Sequence, residues 1–333
     1  MGARKKSAPK RGSLAYTPRK RAKSLNPEIK TWPILHSDKP KLLGFSGYKA
    51  GMTHVYYVDE YKFSPYKGQE IFSAVTVVET PPLFMLGIVG YKIDSTSNSL
   101  KKAYTIISDN FPQEITRRIK TLVARNTSEK IQKMESMLEE LSIIRMLVAT
   151  QPIKAGIHKK KPEVFEIQIG GGRDIADRFS YAVELLGKEV EVDDVFSPGD
   201  VIDVISVTKG KGFQGPVKRW GIKLLSHKSR KARRKPGALG PWKPSATRYT
   251  VPLSGQTGFH RRTIYNVKVL DIRDPNEFDR QIPFHRYGII KSKFLLLKGS
   301  VPGPAKRLIK MRYAIRPVKE EMKVPVKITY IDI

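Results

Sequence analysis

The 333-residue chain contains no cysteine. Disulfides, thiolate nucleophiles and cysteine-ligated zinc are therefore excluded. It has no run of about 18 uncharged apolar residues, the length that spans a bilayer. Its N-terminus lacks the apolar segment of a secretory signal, and a cytosolic protein is expected. Acidic residues are scarce, 31 against 62 Lys and Arg for a formal net charge of +31. From Lys209 to Arg262 they vanish: 54 residues hold 15 Lys and Arg and no Asp or Glu. Apolar residues there do not recur at helical or strand spacing, and crowded cations repel unless a counter-charge comes from outside the chain.

A second excess lies at the N-terminus, where residues 1–30 hold 10 basic residues and one acidic. The other 249 residues carry 37 basic and 30 acidic and are nearly balanced. The length allows two domains or one elaborated domain with a sizeable core. Cations concentrated in two irregular segments point to nucleic acid, whose phosphates release counterions to them. An anionic membrane surface is the runner-up, but it calls for an amphipathic helix or a lipid anchor that neither segment offers.

Residues 1–40 carry Pro9, Pro18, Pro27, Pro33 and Pro40, which forbids a helix and favours extended backbone. This is either a disordered or nuclear-import tail or an arm that orders against a polyanion, with Trp32 available to anchor it. From Leu42, β-branched and aromatic runs predict strands near 42–46, 52–58, 70–79 and 84–92, with Pro81 and Pro82 separating the last two and Tyr48-Lys49 forming a turn between Gly47 and Gly51. Pro112, Ile115, Ile119, Leu122 and Val123 predict a helix over 113–124. Asn126 and Glu129 resemble a capping box before Ile131, Met134, Leu138 and Leu141, and 143–150 reads as a strand. Residues 164–172 read as a strand, and 173–187 as an amphipathic helix carrying Ile175, Phe179, Val183 and Leu186 and stopped by Gly187. Val190, Val192, Val195, Val201, Val204 and Val207 are assigned to strands around a turn at Ser197–Asp200. Strand texture returns in 263–274, 286–303, 306–315 and 324–333.

The expected architecture is mainly β with an α/β insertion. A discontinuous β-barrel body (41–92, 160–208 and 263–333) carries the insertion (93–159), an extended basic arm (1–40) and a protruding basic central extension (209–262).

Candidate chemistry is sparse. The glycine-rich 208–215 lacks the spacing of a nucleotide phosphate loop, and its glycines suit close backbone approach to RNA, with Lys209 and Lys211 as point charges. His36, His54, His158, His227, His260 and His285 do not fall at metal-ligand spacing, so no metal or other cofactor is expected. His227 and His260 lie in the cationic stretch and suit RNA, while His54 suits a partly buried strand. Asp193, Asp194 and Asp200 flank a Pro-Gly turn and read as turn formers. No nucleophile, base and orienting partner are visible, so an enzyme is disfavoured. Trp220 and Trp242 either stack on unpaired bases or pack on the extension's own Pro and Leu residues. The rivals to a structural RNA-binding protein are an RNA-modifying enzyme using the arms as a clamp and a DNA-compacting protein.

Residues 196–221, FSPGDVIDVISVTKGKGFQGPVKRWG, resemble the diagnostic motif of the universal large-subunit ribosomal protein L three family, with Phe196, Asp203, Ser206, Thr208, Gly210, Lys211, Gly212, Gly215 and Arg219 at matching positions. GYKAGMTHV (47–55), GPWKPSA (240–246) and SGQTGFHRRT (254–263) are similar to further family segments. The resemblance implies a β-barrel of the type shared among translation proteins, with long irregular extensions that enter rRNA. It also implies an early part in subunit assembly and an approach of Trp242 to the peptidyl transferase centre. The chain is shorter than eukaryotic members usually are, which favours an archaeal source, and Lys243 and Ser245 stand where His and Ala are common. The expected partners are large-subunit rRNA and neighbouring ribosomal proteins. The residues expected to contact RNA are Arg4, Lys5, Lys6, Lys10, Arg11, Arg19, Lys20, Arg21 and Lys23 in the arm. In the extension they are Lys209, Lys211, Lys218, Arg219, Trp220, His227, Lys228, Arg230, Lys231, Arg233, Arg234, Lys235, Trp242, Lys243, Arg248, Gln256, His260, Arg261 and Arg262.

Overall fold

The computed structural model describes residues 12–120, 126–229, 231–277, 283–316 and 318–332. It divides into two compact units, a larger one of Leu25–Ser206 with Thr263–Ile333 and a smaller one of Met1–Ser24 with Val207–Arg262. Strands dominate and helices are few. In chain order the strands are β1 (Lys41–Leu42), β2 (Gly44–Val58), β3 (Glu70–Glu79), β4 (Leu83–Ile93), β5 (Leu100–Ile107), β6 (Ile143–Ala149), β7 (Val164–Gly170), β8 (Glu189–Val190) and β9 (Val201–Val207). They continue as β10 (Gly210–Gln214), β11 (Gly255–Gly258), β12 (Arg261–Arg273), β13 (Phe294–Lys298), β14 (Leu308–Tyr313) and β15 (Lys327–Ile331). The α-helices are α1 (Thr127–Glu135), α2 (Ile175–Leu185) and α3 (Pro216–Trp220).

The larger unit holds two sheets. One runs β1-β7-β6-β4-β5, with β8 also on β4; the other runs β14-β9-β12-β13-β3-β2-β15, and β14 pairs a second time, with β2. The apolar run of β13 shows why the second sheet needs no polar face. Leu295 and Leu297 enter a core shared with Met85, Ile144, Ile167 and Phe179, while Phe294 and Leu296 enter a separate core with Tyr48, Val75, Val77 and Leu308. Strands buried on both faces read as continuous apolar runs rather than alternating ones.

Two isolated carboxylates inside these runs are held by dedicated partners. Asp203 is the one charged residue of the fully buried β9. Its carboxylate accepts from the Asn266 amide at 3.1 Å, from Arg312 Nε and a terminal guanidinium nitrogen at 3.2 and 3.1 Å, and from the Ile315 amide at 3.2 Å. Glu79, also fully buried, accepts from the amides of Lys291, Ser292 and Gly156 at 2.7, 3.0 and 2.9 Å, from the Ser292 hydroxyl at 3.1 Å and from the Tyr287 hydroxyl. Burial and the adjoining Glu79 charge push the Tyr287 hydroxyl well above its ordinary range. Buried carboxylates need this satisfaction, because each missing bond costs about 1–3 kcal/mol.

Several local expectations are corrected. Tyr48 and Lys49 do not turn: they lie in β2, Tyr48 opposite Glu79 and Leu308, with a register shift between Lys49 and Gly51. The glycines that suggested a turn serve close approach, since a Cβ on Gly47 would stand 2.5 Å from the Glu79 carbonyl oxygen and one on Gly51 2.4 Å from the Phe284 ring. The helix expected over 113–124 is a single 3₁₀ segment, Gln113–Arg117, with Ile115 as its one buried residue; 121–125, including Leu122 and Val123, lie outside the described residues. One buried side chain gives too little apolar face to repay helix nucleation. Asn126 bonds the Glu129 side chain at 3.1 Å instead of capping backbone amides. Val192 and Val195 are buried from a turn, not a strand; there Asp194 accepts the Glu191 amide at 2.9 Å, and Asp200 likewise takes the Ser197 amide at 2.9 Å. The strand expected over 42–46 falls across β1 and the start of β2, while 70–79, 83–93, 143–149, 164–170 and 175–185 form the expected elements. Trp32 is buried in the larger unit's core. No helix among the described residues is long and apolar enough to cross a membrane.

Candidate nucleic-acid interface

The smaller unit, Met1–Ser24 with Val207–Arg262, contains 24 Lys and Arg and neither Asp nor Glu. It folds without carboxylates by giving its arginines to backbone carbonyls. The antiparallel pair β10 and β11 sets Gly210 opposite Gly258 and Gln214 opposite Gly255. Gly258 is obligatory there: its φ is +71°, and a Cβ would stand 2.1 Å from the Lys209 carbonyl oxygen. Beside the pair, α3 begins with Pro216 and ends at Gly221, whose φ of 63° is the left-handed stop that glycine supplies.

Arg219 on α3 ties the unit together. Its Nε donates to the Gln256 carbonyl at 3.0 Å, and one terminal nitrogen donates to Leu253 at 2.9 Å and Ser254 at 3.4 Å. The other donates to the Arg19 carbonyl at 3.2 Å. Arg19 reciprocates, donating to the Arg219 carbonyl at 3.0 Å and the Ser13 carbonyl at 3.1 Å, while its guanidinium lies 3.8 Å from the centre of the Trp220 ring. Trp220 is 9% exposed and donates its indole N–H to the Leu253 carbonyl at 2.8 Å, which is the packed alternative of the sequence reading. Burial, reinforced by the Arg19 charge, holds the Arg219 guanidinium below its ordinary pKa.

His260 is buried, with Nδ1 2.9 Å from the Lys20 carbonyl oxygen. A carbonyl only accepts, so Nδ1 carries the proton. Burial lowers the His260 pKa; the Lys20 carbonyl opposes this, and the charges of Arg262, Arg19 and Arg219 add to it, so the ring is neutral at pH 7. The Arg262 guanidinium lies 4.3 Å from the centre of the Tyr16 ring, and Gln256 donates to the Gly258 carbonyl at 3.0 Å. Arg19, Arg219, Trp220, Gln256, His260 and Arg262 thus all have partners within the unit.

The others point outward. Lys20, Arg21, Lys23, Lys209, Lys211, Lys218, His227, Lys228, Lys231, Arg233, Arg234, Lys235, Lys243, Arg248 and Arg261 are exposed. Trp242 is 90% exposed, and Phe213 and Tyr249 also stand out at 75% and 70%. Arg4, Lys5, Lys6, Lys10, Arg11 and Arg230 lie outside the described residues. Sequence reasoning missed the exposed Phe213 and Tyr249, although aromatic residues in a segment without a core were the signal. It also missed that the first 24 residues and the extension form one unit. Among the described residues, no three His, Asp or Glu are grouped to hold a metal ion.

The arrangement is a surface of exposed cations and flat rings on a framework fastened internally. A family model described as Ribosomal protein L3 matches residues 1–333. Large ribosomal subunit protein uL3 of Caldivirga maquilingensis is 49% identical, over 93% of this chain and 90% of that protein. Proteins of the same name from Aeropyrum pernix and Methanobrevibacter smithii are 45% and 44% identical, covering 100% and 97% of this chain and 98% and 96% of their own lengths. A model that spans every residue, together with relatives of this identity matched over nearly their full length, shows that the chain belongs to the ribosomal protein L3 family.

Proposed function

We propose that the protein is a structural, non-catalytic constituent of the large ribosomal subunit in the cytoplasm, bound to large-subunit rRNA and neighbouring ribosomal proteins. The observation that carries this reading is the compact unit with 24 cations and no carboxylate. Its function is to neutralise phosphate where rRNA segments converge, and its irregular backbone follows grooves that a rigid element does not enter. The exposed residues, from Lys20 and Lys23 through Lys209, Lys211, Lys228, Lys231, Arg233, Arg234 and Lys235 to Trp242 and Arg248, form the RNA-facing set. Arg19, Arg219 and His260 hold that set in place. Trp242 is the side chain that reaches the peptidyl transferase centre, and through it the protein supports subunit assembly and the architecture around that centre.

The larger unit is the body. We read its second sheet as a barrel of the translation-protein type. Support comes from the order β14-β9-β12-β13-β3-β2 with β14 paired again to β2, and from the core of Tyr48, Val75, Val77, Leu296 and Leu308 that these strands share. The α/β insertion, 93–159, carries β5, α1 and β6.

The test is a salt titration of the purified protein on large-subunit rRNA, joined to sedimentation of cell extract. Affinity should fall linearly on a log-log plot, by roughly 0.7 to 0.9 per phosphate contacted, and the protein should travel with the large subunit. A flat plot, preference for duplex DNA, or absence from the subunit would sink the reading.

A further inference from the structure

The larger unit's second sheet turns a cluster of rings to solvent. In β2, Val55 and Tyr57 enter the core, while Met52, His54 and Tyr56 alternate with them and face the other way. On the two neighbouring strands, Phe72 of β3 and Tyr330 of β15 both stand opposite Tyr56 in register. Four rings therefore meet across three strands. Phe72 lies 5.2 Å from His54 and 5.4 Å from Tyr56, centre to centre, and Tyr330 lies 6.3 and 6.0 Å from the same two. Phe72 and Tyr330 are 59% and 53% exposed, Met52 47% and Tyr56 36%. Exposed rings scattered singly call for no explanation, but a contiguous patch of them marks an interface.

Charge indicates what covers the patch. Elsewhere the chain lays its own cations on its rings: Arg262 on Tyr16 at 4.3 Å, Arg316 on Tyr265 at 4.4 Å and Lys298 on Tyr57 at 5.3 Å. Among the described residues, no Lys or Arg lies over His54, Tyr56, Phe72 or Tyr330. Carboxylates border these rings instead. Asp332 Oδ2 lies 3.4 Å from His54 Nδ1, and Glu70, two residues before Phe72 on the same face of β3, accepts from the Thr329 hydroxyl of β15. Lys327, opposite Val58, is the cation that the register sets on this face, one pair beyond the rings. Electron-rich ring faces beside carboxylates attract a cation, and this chain supplies none over them.

We propose that this face of the body docks an arginine-bearing segment of a neighbouring large-subunit protein, whose guanidinium groups lie on the Phe72 and Tyr330 rings and reach Glu70 and Asp332. A guanidinium is planar, stacks on aromatic faces and pairs with carboxylates, so one side chain meets both features of the patch. An unpaired nucleobase also stacks on rings, but its phosphates would then approach the two carboxylates. The cations that receive phosphate in this chain are concentrated in the smaller unit. The inference rests on the reading of the protein as a subunit constituent with protein neighbours, and deepens it by giving the surface and the chemistry of one such neighbour.

Large subunits assembled with the full-length chain provide the test. Met52→p-benzoylphenylalanine sets a photo-crosslinker on the same face and keeps all four rings. Irradiation should join it to one ribosomal protein, and mass spectrometry should find the crosslinked peptide to contain arginine. Phe72→Thr with Tyr330→Thr removes two exposed rings at strand positions, and should lower retention of that protein on salt-washed subunits about tenfold. Glu70→Lys with Asp332→Lys keeps the rings and should lower it as much by repulsion. The urea midpoint of each variant checks that the larger unit still folds, and the crosslink decides the matter whether or not it does. A crosslink to rRNA, to a second copy of this chain or to a peptide without arginine would overturn the proposal. So would the absence of any crosslink, or unchanged retention in either double variant. If the chain travels with the large subunit and one of these results is found, the docking assignment alone fails. If it is absent from the subunit, the functional reading fails with it.

Discussion

Replacing Arg219 by Met separates a fastening arginine from a phosphate-contacting one. Three of its bonds to carbonyls, those to Gln256, Leu253 and Arg19, are 2.9–3.2 Å long. A buried charged hydrogen bond contributes about 1.5–3 kcal/mol, but this side chain is only part-buried, so about 1 kcal/mol each and about 3 kcal/mol together is the appropriate scale. Local opening of the β10–β11 pair should then become about a hundredfold more frequent, at tenfold per 1.4 kcal/mol. Amide hydrogen exchange reads this at Phe259, which donates to the Lys209 carbonyl at 3.1 Å, and at Ala22, which donates to the Phe259 carbonyl at 2.8 Å. The slope of log affinity against log salt on rRNA should stay the same, because no phosphate contact is lost. Lys231→Met is the counterpart: exchange unchanged, slope smaller by roughly 0.7 to 0.9. An Arg219→Met protein with normal exchange and a slope reduced by one phosphate's share would refute the assignment of Arg219 to the framework.

Glu79→Ala strips the acceptor from three backbone amides, and at about 1–3 kcal/mol each the larger unit should lose about 3–9 kcal/mol, read as a lower urea midpoint. Lys310→Met should stabilise the larger unit on the order of 4 kcal/mol at pH 7, because the amine sits at about 7 folded against 10.5 ordinarily. The unfolded chain binds the extra proton between those values. The wild type's handicap is therefore full below pH 7 and fades as pH rises towards 10.5, so a gap between the two urea midpoints that is equal at pH 6 and pH 9.5 contradicts the assignment. Trp242→Ala, at a side chain 90% exposed, should change the stability of either unit by less than about 0.5 kcal/mol while impairing subunit maturation or peptide-bond formation; unfolding would mark the indole as core.

The strands and α2 were legible because their apolar spacing is a local signal that packing reinforces. Where packing overrode the local signal, the reading failed. Gly47 and Gly51 looked like turn residues, yet they admit a neighbouring carbonyl and the Phe284 ring. The stretch 286–293 looked like a strand, yet Glu79 gathers its amides into a loop. The exposed cations of the candidate interface were named in advance with the exception of Lys223, since an acid-free segment announces itself. The framework roles of Arg19, Arg219 and His260 were not, because their partners are backbone carbonyls, which every residue has and no sequence pattern marks. One signal was available and unused. A lone charge in an apolar run, as in Asp203 of VIDVISV or Lys310 of LIKM, is the mark of a buried polar site, and those two residues are the partner of Arg312 and the buried amine beside the Phe165 ring.

Fastening arginines to carbonyls has a consequence for how the smaller unit behaves in solution. An arginine paired with a carboxylate is electrically silent at a distance, and acid restores its field when the carboxylate takes up a proton. The carbonyls that hold Arg19 and Arg219 are neutral and take up no proton. With no Asp or Glu in the unit and the His260 pKa lowered, mild acidification has little to act on there. Its attraction for a polyanion is therefore set by the salt around it and is almost indifferent to acidity.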